Sequence, residues 1–548
     1  MSKKYIFVLM GILMVLLPVS SMAQIEEEVR EEKPDTTTFY IRVRPNTPLL
    51  PFKQQGDKVL YDGVDTQLKD ILDDHVIFDF KRTFEKVRSD ILRRTYFVKT
   101  LSSNLKETLL KEAPTIFEFA ERVPDPAVAT FYPDDYGLTN KSGVYKGAPA
   151  VLDYYDYLGV PQAWAYTTGS RDVIIGISDG ALPVDDPDFK DKITVIRESP
   201  LAGGHGYSIA ATAVAQGNNG YGIPGICYDC SVYATTYTAS FNTLEHLVEL
   251  SQAGARVINC SWISGAKHET AQAAINEMHE NGTIIVAGAG NRGWLPHKGE
   301  KYYYPASYDN VISVTSVAYK YPTVYDNLNI LESGTYYAQN IENYLGRSIG
   351  FRGNDPENEP YIWGATTATL NPAVDIAAPG LLIFSFGNYL LKPEYQYNEF
   401  QSTSMATPMV TGTIGLMLSL HPGLTPDEVE SILKITSTNI NYIPANRKFA
   451  GHYGSGALHT GRAVKMTHDL ISPSEEVIIE NQFFDRWDFV VNALSKQVRI
   501  RNQVFALDAS LQLTAKQKIV LKPGTSLSST NAKGIVLRID PELEKQED

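Results

Sequence analysis

The chain is 548 residues long, 43% hydrophobic and 20% charged. That composition is globular, excludes global disorder, and exceeds one ordinary domain, so two to four units are expected. A formal net charge of -14 repels a phosphate backbone and excludes nucleic acid as an expected partner.

Lys3 and Lys4 precede an apolar run from Tyr5 to Leu17, which Pro18 ends. Ser21 and Ala23 are the small residues a signal peptidase reads before Gln24. The run is too short to cross a bilayer, so residues 1–23 read as a signal peptide, and the chain as secreted or cell-surface; the competing reading is an uncleaved anchor. No later stretch reaches the ~18 apolar residues of a spanning helix, so no transmembrane segment is expected. Residues 24–37 are charged and Thr-rich without period, a flexible start.

Residues 38–123 read as a small α+β domain. Strands are predicted at Phe39–Val43, Val76–Phe80, Arg94–Val98 and Ile116–Ala120, and helices at Thr66–Leu72 and Leu105–Lys111. The order βαββαβ is a split βαβ arrangement. The Pro/Asp-rich stretch 124–150 has exposed, cleavable linker chemistry.

From 151 to 470 the pattern is α/β. Apolar strands at 173–177, 256–260, 283–287 and 311–315 alternate with helices at 208–215, 244–253, 269–279 and 404–420. Thr425-Pro-Asp-Glu428 supplies an N-cap, a proline at the first helical position and a capping-box glutamate for a last helix. Alternating buried strands and helices imply a doubly wound parallel sheet covered on both faces. The Tyr-, Asn- and Gly-rich stretch 319–371 reads as a long surface insertion. Residues 475–548 change to short strands and read as a separate C-terminal β module with a solvated acidic tail. Anchoring, sorting, glycan contact or a stability cap all fit it.

Three cysteines leave at least one thiol unpaired. Cys227 and Cys230 have CxxC spacing; a local disulfide or two buried thiols is preferred over a redox pair or half a metal site, because no second CxxC or thioredoxin-like context accompanies them.

Acyl-transfer chemistry needs a nucleophile, a base, an acid orienting that base, and oxyanion donors. Parallel α/β folds collect such groups at the carboxyl ends of strands. Asp179 follows the strand 173–177, Asn291 follows 283–287 across a small-residue turn, and His205 and Ser404 open small-residue helices. Each alone is weak, since Ser before a helix is most often an N-cap and Asp after a strand a turn residue.

These segments resemble those of subtilisin-like serine peptidases over roughly residues 150–470. The resemblance rests on Val173-Ile-Ile-Gly-Ile-Ser-Asp179, Gly204-His-Gly206, Val257-Ile-Asn-Cys-Ser261, Val286-Ala-Gly-Ala-Gly-Asn291, Tyr304-Pro-Ala-Ser-Tyr308, Asp375-Ile-Ala-Ala-Pro-Gly380 and Thr403-Ser-Met-Ala-Thr-Pro408, in that order. It implies a subtilisin-like fold and a secreted serine endopeptidase: Ser404 as nucleophile, His205 as base, Asp179 orienting it, and Asn291 with the Ser404 N–H as oxyanion donors. Ser261, Trp262, Ile263 and Gly288, Ala289, Gly290 resemble the strands that flank the S1 pocket and pair with extended protein or peptide substrates. The βαββαβ unit resembles the family's propeptide, an intramolecular inhibitor, with cleavage expected within 123–140. The chemistry requires no cofactor. Many relatives bind structural calcium; Asp185, Asp186 and Asp188 cluster beside the aspartate segment, although such carboxylates are more often solvated, and no metal ligand is assigned.

Departures from the family pattern are Gly180 and Ala181 after the aspartate, Tyr207 and Ser208 after the histidine, Ser402 before Thr403, and Ile263 where a glycine commonly borders S1; Ile263 with Trp262 would narrow that pocket. They motivate an alternative, a pseudoprotease that binds extended peptides without cutting them. A surface adhesion protein working through the C-terminal module is a third reading. With His205 as base, activity is expected to fall as pH drops through a value near or below the free ~6.5.

Overall fold

The computed structural model describes residues 37–544 except 56–57, 83–89, 101–104, 123–128, 138–149, 202, 238–243, 295–298, 386–396 and 399–400. The expected signal peptide, the segment after it to residue 36, parts of the expected processing region and the last four residues of the acidic tail lie outside the described residues. The chain forms two compact units, divided after Val128.

In the first unit, strands β1 (Thr37–Val43), β4 (Ile77–Arg82), β5 (Thr95–Thr100) and β6 (Phe117–Arg122) form an antiparallel sheet in the order β4-β5-β1-β6. Helices α1 (Thr66–Asp73) and α2 (Leu105–Glu112) cross between strands. Asp65 caps α1, its Oδ1 accepting from the Leu68 N–H at 2.9 Å, and Leu68, Ile71 and Leu72 then face the core. Alternation along β1 buries Phe39, Ile41 and Val43 against Val98, Leu109 and Phe117. A hairpin of β2 (Phe52–Gln55) and β3 (Lys58–Tyr61) went unpredicted, because β2 buries no side chain and shows no apolar alternation.

The second unit is built on a seven-stranded parallel sheet. Its strands are β7 (Ile174–Ser178), β8 (Ile193–Val195), β9 (Ser231–Thr235), β10 (Val257–Cys260), β11 (Ile284–Gly288), β12 (Val311–Val317) and β13 (Ile376–Pro379). Their order is β13-β12-β11-β10-β7-β9-β8. Every pairing is parallel. The near-continuous apolar strands serve two cores at once: Val257, Ile284 and Val286 face one, Ile258, Ile285 and Ala287 the other. Helices α3 (Gly203–Val214) and α6 (Thr403–Leu420) lie in the first core, and α4 (Glu245–Gln252) and α5 (Glu269–Glu280) in the second. Helix α7 (Pro426–Thr436) starts at the capping box of Thr425 and Glu428, and α8 (Thr460–Ile471) follows.

Two regions show structure that the pattern did not reveal. The stretch 319–371, read as a surface insertion, holds the antiparallel pairs 328–330/336–338 and 348–351/360–362. Ala338, Ile341 and Phe351 form a small core, while Leu345, Ile362 and Leu370 pack with Val317 and Phe449. Its apolar residues are too widely spaced to show a period.

The C-terminal segment forms nine strands: β14 (Glu476–Glu480), β15 (Phe483–Phe484), β16 (Asp488–Ala493), β17 (Gln497–Arg501), β18 (Val504–Leu507), β19 (Ser510–Ala515), β20 (Ile519–Leu521), β21 (Ser526–Ser529) and β22 (Ile535–Ile539). They stack as three parallel sheets, β14-β17-β20, β15-β18-β21 and β16-β19-β22. This is a three-coil parallel β-solenoid. Its interior residues Val477, Ile479, Phe489 and Val491 share one core with Ile175, Val286 and Leu433. Val490 N–H donates to Ser431 Oγ and Asn492 Nδ2 to Glu428 Oε1, both at 2.8 Å. The packing therefore has no boundary at 470–475.

Candidate active site

Sheet register sets the site. Ser178 pairs with Cys260, and Cys260 with Ala287, so β7 and β10 end level at their carboxyl edge and β11 one residue beyond. Asp179 and Ser261 leave the sheet there beside Gly288, the last residue of β11, at the edge where open parallel sheets place ligands.

Asp179 is 1% exposed. Its Oδ1 accepts from the Gly180 N–H at 2.6 Å and lies 2.8 Å from His205 Nδ1; its Oδ2 is buried and has no hydrogen-bond partner. His205 reaches this carboxylate because α3 starts hard against the loop after β7. A Cβ on Gly206 would meet the Gly180 carbonyl oxygen at 2.5 Å, so glycine permits the approach. The His205 side chain stays 48% exposed. Burial pulls its pKa down, but the Asp179 hydrogen bond and charge outweigh that and hold it above the ordinary value. That direction is opposite to the downward side of the expectation that the midpoint lies near or below ~6.5.

Ser404 sits in the first turn of the 18-residue helix α6. Pro408 lacks the N–H that would bond the Ser404 carbonyl, and Ser261 Oγ donates to that carbonyl instead, at 3.1 Å. Ser404 Oγ donates in return to the Ser261 carbonyl at 3.1 Å, and no hydrogen bond joins it to His205. The N–H groups of residues 403 to 405 lie ahead of the first i−4 bond of the helix, which Ala406 makes to Ser402. Thr403 N–H donates to Asn291 Oδ1 at 2.8 Å, and Met405 and Ala406 to the Ser402 carbonyl. Ser404 N–H has no hydrogen-bond partner among the described residues.

Asn291 Oδ1 also accepts from Thr403 Oγ1 at 3.1 Å. A backbone N–H only donates, so this contact orients the amide with its oxygen on Thr403 and its Nδ2 turned away. Thr403 Oγ1 accepts from the Gly290 N–H at 3.1 Å. Thr403 thus bolts the Asn291 turn to the nucleophile helix; the sequence carried the residue but not this role, since only the fold brings 291 and 403 together.

Of the six residues read as substrate-binding, only Ile263 is exposed. Trp262 turns inward, stacks on Tyr237 with centroids 5.8 Å apart, and donates its indole N–H to Ser178 Oγ at 3.2 Å. Trp262 is buried there, so of the two residues expected to shape S1 only Ile263 faces outward. Ile263 N–H and carbonyl have no partner among the described residues. Ala289 N–H donates to Val314, and the Gly290 carbonyl accepts from the Thr369 N–H. The Ala289 N–H and the Gly290 carbonyl are therefore already used within the protein, and the 288–290 segment lies as a wall behind them. Gly290, with φ of 105°, brings that wall close: a Cβ there would lie 3.5 Å from Ile263 Cδ1.

The other departures are packed. Tyr207 stacks edge-on against Phe189, and Ser208 Oγ bonds Ser385 Oγ and the Gly204 carbonyl. Cys227 and Cys230 form a disulfide, and Cys260 is a buried free thiol, its pKa pushed up by burial. Asp188 is buried rather than solvated, with Asn219 Nδ2 at 2.9 Å from Oδ1 and Ile223 N–H donating to Oδ2. No cluster of three or more metal-ligating side chains occurs among the described residues, and no helix there is long and apolar enough to cross a membrane.

The sequence pattern of the subtilase family matches residues 170–456. The chain is similar to subtilisin DY of Bacillus licheniformis, 26% identical over 272 residues that cover 48% of this chain and 78% of that protein. It is similar to thermitase of Thermoactinomyces vulgaris, 28% identical over 297 residues, covering 51% and 86%. It is also similar to the halolysin-like extracellular serine protease Nep of Natrialba magadii, 26% identical over 299 residues, covering 51% and 46%.

Proposed function

The chain belongs to the subtilase family and is a subtilisin-like serine protease, and on that premise we propose that it is a secreted endopeptidase using Asp179, His205 and Ser404, with Asn291 as oxyanion donor. The observation that carries this reading is convergence. A 2.8 Å Asp179–His205 pair stands at the sheet edge. At Ser404 are a backbone N–H without a partner among the described residues and, beside it, an amide whose oxygen is already held.

Ser404 Oγ attacks the scissile carbonyl and His205 accepts its proton, then returns it to the leaving amine. Asp179 holds the tautomer with Nδ1–H toward itself and stabilises the imidazolium. The developing oxyanion takes the Ser404 N–H and Asn291 Nδ2, at the positive end of α6. Substrate backbone pairs at Ile263, and its side chain lies against the 288–290 wall. The βαββαβ unit acts as an inhibitory propeptide released by cleavage within 123–140, and export is through residues 1–23. The solenoid completes the catalytic unit.

The Ser404 Oγ bond to Ser261, in place of one to His205, favours the competing reading of a non-cleaving peptide binder. Catalytic hydrogen bonds are often made only in the substrate complex, and rotation about the Ser404 Cα–Cβ bond turns Oγ toward the cleft. One experiment separates the two. The chain from residue 24 and its Ser404→Ala variant are treated with a fluorophosphonate probe, and each band is sequenced from its N-terminus. Labelling and a new N-terminus within 123–140 in the unaltered chain alone are the expected result. Absence of both leaves the binder.

A further inference from the structure

A cavity of ≈ 390 Å³ opens beside Asn291. Residues 261–263 and 288–290 do not line it. Its walls come from the 319–371 segment, through Gln339, Arg347 and Thr366, and from Gln401, three residues before Ser404. Among the described residues, Arg347 is the one ionisable side chain in this lining. Its guanidinium lies 5.9 Å from the Tyr337 ring centroid and 5.8 Å from that of Trp363. Its backbone is pinned, the N–H donating to Thr366 Oγ1 at 2.9 Å and the carbonyl accepting from Trp363 at 3.0 Å. No carboxylate pairs with it among the described residues. In a chain of net charge -14, a half-buried arginine near two rings, with no carboxylate paired to it among the described residues, is poised for an external anion.

Gln401 is the second observation. It is 6% exposed, its Oε1 accepts from Ser316 Oγ at 2.8 Å, and its Nε2 is buried without a partner. A buried donor left unused costs free energy until an acceptor arrives.

We propose that this cavity is a carboxylate-binding subsite on the leaving-group flank of the cleft, in which Arg347, assisted by Gln401, selects substrates with an acidic group there. The proposal rests on the protease reading, since the flank is defined by Ser404, Asn291 and the 288–290 wall. Planar guanidinium recognition suits a carboxylate on a side chain or at a peptide's C-terminus.

The test uses matured protein, unaltered and as Arg347→Gln, Arg347→Lys and Arg347→Glu. Fluorogenic peptides carry Glu, Gln or Lys at each of the first three leaving-group positions. One set is amidated at the C-terminus, and a second places a free C-terminus there with no acidic side chain. The expected result is a preference of about tenfold in kcat/KM for the acid over its neutral counterpart at one position, the scale of a hydrogen bond to a charged group partly screened by water. It falls to about unity in Arg347→Gln, survives in part in Arg347→Lys and inverts toward Lys in Arg347→Glu. The all-neutral peptide is cut within about twofold by every variant. The two sets distinguish side-chain from C-terminal carboxylate. No acid preference, or one that persists in Arg347→Gln, overturns the proposal. If the unaltered protein cuts nothing, the protease reading has failed instead. Binding of the acidic peptide to that non-cleaving protein, with and without Arg347→Gln, then decides the subsite by itself: an affinity unchanged by Arg347→Gln overturns it.

Discussion

His205 carries two opposing influences, and their balance has a measurable sign. Burial favours the neutral ring, while Asp179 favours the charged one and prevails. A base must be neutral to accept a proton, so kcat/KM should rise with pH through a midpoint above ~6.5. In Asp179→Asn the raising influence is gone and burial's pull remains, so the midpoint should move down while turnover drops steeply. A pH profile of both proteins checks this, and an unmoved midpoint would count against the pair. The same raised pKa adds stability that is fully present below the unfolded value and lost as pH rises through the folded one. Positions 179, 205, 291 and 404 stood out in the sequence only as an ordered set beside patterned elements that resembles a known family, since each alone is weak. The Thr403 contact, the inward turn of Trp262 and the lone charge of Arg347 were not, because each depends on partners far away in sequence.

At the scale of elements, the start of α6 is set by what packs behind it. Ser402 N–H donates to the Gly380 carbonyl at 2.9 Å. A Cβ on Gly380 would meet Ser316 Cβ at 2.4 Å and the Ser402 carbonyl oxygen at 2.8 Å. Gly380→Ala should therefore push the helix start outward. Expected costs are roughly 1–3 kcal/mol of stability for overpacking and a larger loss of turnover, up to about 100-fold, because ångström misplacements are that costly. Thermal melts beside kcat would show it, and unchanged kcat with lowered stability would mean that the strain relaxes elsewhere. Strand and helix positions in the α/β region were readable from apolar runs and the Thr425 capping box. The β2–β3 hairpin was not, having little buried face. The solenoid coils carry a weak repeat: Val477, Val498 and Ile519 stack with a 21-residue spacing. The repeat is imperfect, since Leu511 pairs with Ile535, and so resembles a run of unrelated short strands.

For the whole molecule, the solenoid's inner face completes the core over α7 and α8. Fully burying one large apolar side chain contributes about 1.5–3 kcal/mol, and a domain's net stability is only about 5–15 kcal/mol. Stopping the chain at residue 474 removes Phe489, Val491 and their neighbours from that core. The truncated protein should fail to accumulate as soluble, folded enzyme, as solubility and circular-dichroism melts would show. A stable, active truncation would mean that the shared core is dispensable, and would restore the solenoid as a separable module. The sequence alone determined the α/β class, the chain order of the chemical groups and the family resemblance, because these reside in local period and in short ordered segments. Tertiary structure decided which residues touch. The Ser261–Ser404 exchange, the Asn291 amide held by Thr403, the anion-ready arginine and the merged C-terminal core are contacts between distant parts of the chain, and local pattern does not encode distance.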